Sequence, residues 1–188
     1  MSRRPPRRPK TVALALALAA AYLAHHGEDE TRTWLEGVKA NLAKKPEGND
    51  RSQVKSIWAG ECDISLGNTY YMGQMLADPE QKAWAESVNV VFPTFEAGGT
   101  HMNISGVAMT KSAPHKEAAL KLMEWLSSDA AQKIYAETNH EFPVKPGVAR
   151  SALVASWGEF TPDSLPLADV AAKRADALKL IETVDFDN

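Results

Sequence analysis

Two adjacent phenols, Tyr70 and Tyr71, stand where an apolar run gives way to helix-compatible sequence. Their lead, Gly60-Glu61-Cys62-Asp63-Ile64-Ser65-Leu66-Gly67, reads as a buried strand over 62–66 bounded by glycines. Tyr71 to Leu76 continues in helix-forming residues, so Asn68 or Thr69 falls at an N-cap and the pair lies on a strand-to-helix corner. Within a helix, neighbouring side chains diverge by about 100°. At a helix entrance the first residue is still non-helical, and both rings can turn into one cleft. Two phenol oxygens could then share a hard multivalent cation, whose charge stabilises the phenolate of a side chain with a reference pKa of about 10. A Tyr-Tyr pair also fits ordinary amphipathic packing, each ring buried with its hydroxyl in water.

Other residues that could do chemistry offer less. Glu61 and Asp63 alternate along the expected strand and fall together on its polar side, which suits solvation better than acid/base work. Cys62 is the single cysteine, so no internal disulfide can form, and its apolar setting marks it as a core residue. His25 and His26 are adjacent with no third ligand nearby, and read as surface residues at a helix end. His101, beside a glycine passage, reads as a structural histidine that could line a cleft. Tyr135 continues an apolar helical stripe and reads as core. Asn103-Ile104-Ser105 fits a glycosylation sequon to which no function attaches. A glycine-rich phosphate loop, Cys-x-x-Cys, His-Glu-x-x-His and a nucleophile elbow are all missing from the sequence, so a non-enzymatic protein is expected. The net charge of -3 leaves no basic surface for nucleic acid, since the only basic run is at the extreme N-terminus.

The elements that must position the tyrosines alternate between helices and short apolar strands, which argues for an α/β fold. Met1 to Lys10 is basic and proline-rich, and the Ala/Leu run from Thr11 to Ala24 has the plan of a secretory signal peptide. Trp34, Leu35, Val38 and Leu42 recur at helical spacing until Pro46 and Gly48 stop the helix. A short helix from Arg51 to Ala59, capped by Asp50, should bury Val54, Ile57 and Trp58. Beyond the tyrosines, the pattern predicts a helix over Pro79–Ser87, strands over Val88–Phe92 and Met102–Met109, and a helix after Pro114 with Ala119, Leu122, Met123 and Leu126 on one face. Ser128 and Asp129 cap the next helix. An extended return, His140 to Val144, leads to a last helix burying Val170, Ala171, Leu178 and Ile181.

Asn68-Thr69-Tyr70-Tyr71 after its Gly-Glu-Cys-Asp-Ile-Ser-Leu-Gly lead resembles the iron-binding segment of the periplasmic ferric-ion-binding proteins, the solute-binding components of bacterial iron(III) ABC importers. The likeness runs from about Tyr22 to the C-terminus, through 41–51, 99–107 and 153–158. The resemblance implies a two-lobed type II periplasmic binding fold, with much of the first lobe missing. It implies Tyr70 and Tyr71 as Fe(III) ligands and Asn68 as a contact to a synergistic anion such as phosphate or carbonate. It also implies an inner-membrane ABC permease as partner, a periplasmic location and a monomer. Residues 25–97 would form the first part of the metal-site lobe, 98–139 a segment crossing to the other lobe, and 140–188 the return and last helix. Segment 1–24 would be a signal or, since Tyr22 to Glu28 resembles a helix interior in complete members, a truncated helix. The remaining family ligands have no matching positions here. A binding protein for another small anionic or organic solute, and a truncated lobe without transport activity, are the competing readings.

Overall fold

The computed structural model describes residues 12–45, 47–95 and 98–186; residues 1–11, Pro46, the pair Glu96-Ala97 and residues 187–188 lie outside the described residues. In chain order the helices are α1 (Val12–Ala40), α2 (Asp50–Trp58), α3 (Tyr70–Ala77), α4 (Lys82–Glu86), α5 (Lys116–Leu126) and α6 (Asp129–Ile134). A π-helical turn (Tyr135–Asn139) follows, then α7 (Ala152–Ser156), α8 (Leu167–Ala172) and α9 (Arg174–Thr183). The chain divides into two compact units. The first comprises Met1–Asn68, Phe92–Met102 and Phe160–Asn188, and the second Thr69–Val91 and Asn103–Glu159.

In the first unit, the Ala/Leu run is core. Leu16, Ala19, Ala20 and Leu23 of α1 pack with Leu35 and with Ala177, Leu180 and Ile181 of α9, every one of them buried. Burial of each large aliphatic in this set is worth about 1.5–3 kcal/mol relative to exposure. The helix doubles its use of this core by kinking at Gly27, whose φ of 79° and ψ of 179° lie in a region that essentially only glycine enters. Fully buried Thr31 secures the kink by donating its hydroxyl to the Gly27 carbonyl at 2.6 Å. The expected final helix is two, α8 and α9, meeting at Lys173. Ile181 is buried as expected, while Val170 and Leu178 only flank the core. Although α1 has 29 residues, no helix among the described residues is long and apolar enough to cross a membrane.

Helix α2 starts one residue early. Asn49, not Asp50, is its cap: the Asn49 side chain accepts from the Ser52 amide at 3.1 Å, and Ser52 answers with a long contact from the Asn49 amide, a capping box. Val54 is buried, but Trp58 is half exposed.

The predicted strands do not pair. Among the described residues, the one β contact is an isolated parallel bridge between Thr100 and Pro162. Segments 62–66, 88–92 and 102–109 are extended or irregular without a ladder neighbour. Several of their apolar residues face solvent: Ile64 is 83% exposed and Val91 78%. Cys62 is half-buried rather than core. Alternation marks a segment that fits a half-buried pleat, but a strand exists only when a neighbour supplies its hydrogen bonds and its cover. None of these segments has one here.

In the second unit, α3 packs on α4 and on the π-helical turn, and Met72, Met75, Ala85, Ala131, Ala136 and Val154 supply its buried apolar side chains. Ser128 caps α6 as expected, accepting from the Ala131 amide at 3.3 Å. Of the α5 face expected to be buried, Ala119, Met123 and Leu126 are mostly covered but none is fully buried, and Leu122 is 54% exposed.

Candidate metal centre

Tyr70 is the first residue of α3, and the preceding Thr69 already has helical φ and ψ and offers no side-chain cap. The expected non-helical entrance is therefore not what unites the rings, which belong to consecutive helical residues. They nevertheless lie together, with centroids 4.4 Å apart and planes at 37°. Both are half-buried. Two methionines fix the helix that carries them: Met75 is fully buried and Met72 nearly so, on the side turned to α4 and the π-helical turn.

Asn68 belongs to the first unit and the tyrosines to the second. The Asn68 amide N–H donates to Asp50 Oδ1 at 2.8 Å, and its side-chain amide reaches the same oxygen at 3.5 Å. The start of α2 thus presents a carboxylate to the residue expected to contact an anion.

Of the other candidate groups, the histidine pair departs from expectation. His25 and His26 do close a helical stretch, just ahead of the kink at Gly27, but their rings are largely buried rather than on the surface. The His25 ring pairs with Asp163 Oδ2 at 2.8 Å and stacks on Phe95 at 4.7 Å. His26 stacks on Tyr22 at 4.2 Å and faces Glu30 at 3.2 Å. Asp163 also accepts from the Leu165 amide at 3.2 Å. Burial raises the Asp163 carboxyl, but the hydrogen bonds from His25 and from the Leu165 amide outweigh it and hold the group below its ordinary value. His101 is structural: burial keeps its imidazole below the ordinary value against the opposing pull of Asp163, and its Nε2 has no hydrogen-bond partner. Glu61 pairs with Lys44 on the surface, leaving no acid/base couple with Asp63. Among the described residues, no group of three His, Cys, Asp or Glu side chains could hold a metal ion. The phenol pair is therefore the donor set to consider.

Sequence reasoning passed over His140. It follows the π-helical turn with φ 58° and ψ 32°, a left-handed conformation, and its ring lies against Gly73 of α3. The hint available was a glycine inside a short helix, which often marks a close approach.

The family model of bacterial extracellular solute-binding proteins matches residues 9–162. The chain belongs to this family. It is 44% identical over 167 residues to iron uptake protein A1 of Synechocystis sp., a match covering 88% of this chain and 46% of that protein. The apo ferric ion-binding protein A of Pasteurella haemolytica is similar in structure, with a TM-score of 0.89 and 51% identity over 92% of this chain and 54% of the other. A Trichodesmium protein solved in complex with iron and citrate ligands gives a TM-score of 0.86 and 38% identity over 95% of this chain and 57% of its own. The fold is that of the type II periplasmic binding proteins, and the chain spans about half the length of the relatives it matches.

Proposed function

We propose that this chain is part of a non-enzymatic, periplasmic ferric-iron-binding protein that holds Fe(III) on the phenolates of Tyr70 and Tyr71 and delivers it to an inner-membrane ABC permease. The observation that carries the reading is the contact of the two half-buried rings, 4.4 Å apart on the first turn of α3. Binding would release both phenol protons to solvent, because the metal takes the anionic form of each ligand. The printed descriptions of the relatives, iron uptake and ferric binding, support iron as the cargo. Two phenolates leave most of an iron coordination sphere to other donors. A synergistic anion, phosphate, carbonate or the citrate seen in the Trichodesmium relative, would fill part of it. Asn68 serves such an anion only if its amide leaves Asp50, whose negative charge works against a second anion at the same place.

Ferric phenolates absorb visible light by ligand-to-metal charge transfer. Titrating the metal-free protein with ferric citrate should produce a visible band that weakens in Tyr70→Phe and in Tyr71→Phe and vanishes in the double variant. A colourless titration with no calorimetric heat would remove iron as the cargo. An organic solute that raises the melting temperature more than iron does would make the tyrosines a stacking platform instead.

A further inference from the structure

Iron ligation as described above assigns no part to His140, yet several unusual features meet there. Among the described residues, only His140 and Asp185 are non-glycine residues with positive φ. His140 is reached through a five-residue π-helical turn, a rare form found mostly as single-turn insertions and frequently at functional sites. Its ring occupies space at α3 that only glycine leaves open: a Cβ on Gly73 would stand 2.2 Å from His140 Cγ and 2.3 Å from Cδ2. Its Nδ1 is buried and has no hydrogen-bond partner. Buried polar atoms are nearly always paired, so a strained backbone that delivers an unpaired nitrogen to one spot needs a reason.

The spot supplies one. Gly73 lies three residues beyond Tyr70, one turn along the same face of α3. Helical side chains lean toward the N-terminus, so a side chain at position 73 would cover the turn that carries Tyr70. Glycine has none, and the His140 imidazole lies in its place.

We infer that His140 is a positioning residue for the metal centre. Its imidazole stands in for the missing side chain of Gly73 and fixes the direction in which the Tyr70 ring leaves α3. The backbone strain at His140 holds the ring against that helix from outside. The inference rests on the iron reading for its purpose, but the placement of Tyr70 can be measured without iron.

The test uses the full chain with ring-labelled tyrosine. In His140→Gly, which removes the ring and suits the left-handed backbone, the Tyr70 ring resonances of the metal-free protein should shift while those of Tyr22, in the other unit, stay fixed. The ferric charge-transfer band should move in wavelength, and iron affinity should fall roughly tenfold, as when an outer-shell support is removed. His140→Phe, which keeps a ring in the space beside Gly73, should recover part of the band position. Gly73→Ala, which pushes the ring away, should shift the Tyr70 resonances too; if that variant fails to fold, the two His140 variants decide. Unchanged Tyr70 resonances in His140→Gly would overturn the inference, as would a band and affinity in that variant equal to the unmodified protein. If the unmodified protein gives no band at all, the iron reading fails, and the resonances alone decide the role of His140.

Discussion

At Asp163 two forces oppose each other, and the partners win. Burial pushes the carboxyl up, while His25 and the amide of Leu165 hold it below its ordinary value of 3.8. At His101 burial wins, and the imidazole is held below 6.5 despite the nearby Asp163 charge. Both groups therefore bind protons less readily in the native protein than in the unfolded chain, so unfolding takes up protons and stability falls as pH falls. The His101 contribution is complete above 6.5 and is lost below it, down through the lowered native value; that of Asp163 starts to go only below 3.8. Urea midpoints measured against pH should show two successive acid limbs. His101→Gln should flatten the first, and Asp163→Asn the second while also lowering stability at neutral pH by giving His25 an uncharged, weaker acceptor. A first limb of full size in His101→Gln would place the proton elsewhere. This pairing was not legible in the sequence, because Asp163 is 138 residues from His25. The tyrosine pair was legible, because its two members are neighbours in the chain.

Helices declared themselves by caps and periodicity, and strands misled. Ser128 reads as a cap in the sequence and is one; the Asn49–Ser52 box, where the sequence suggests Asp50 instead, is an equally local signal within four residues. Residues 62–66 carry an equally plain apolar alternation, but pairing depends on a neighbouring strand, which no local pattern encodes. The Ala/Leu run was ambiguous for a related reason: a leader and a buried helix share the same composition, and only its contacts with Ala177, Leu180 and Ile181 show it used as core. Leu180→Ala in α9 should cost about 2–5 kcal/mol by opening a cavity against α1. Removing residues 1–24 should cost more than that, since Leu16, Ala19, Ala20 and Leu23 leave together. Chemical denaturation followed by circular dichroism checks both; a shortened chain that keeps its midpoint would show that α1 contributes nothing to the core.

Between 88% and 95% of the molecule matches 46% of the Synechocystis relative and 54–57% of the two solved ones described above, so those proteins have roughly as much sequence again beyond the match. The unpaired extended segments, with Ile64, Val91 and Val144 at 75% exposure or more, are surfaces of the kind that such sequence would cover in them. Two phenolates alone would also leave iron open to water, hydrolysis and competing chelators. Expressed by itself, the chain should therefore bind an apolar-surface dye in its native state and hold iron weakly. Citrate in modest excess should bleach the ferric-phenolate band within minutes, and a complete relative measured alongside should keep its colour under the same conditions. Adding the unmatched half of such a relative as a separate polypeptide should quench the dye and slow the bleaching. Citrate-resistant iron on this chain alone, with no dye binding, would mean that further ligands lie within its 188 residues and that the exposed segments need no cover.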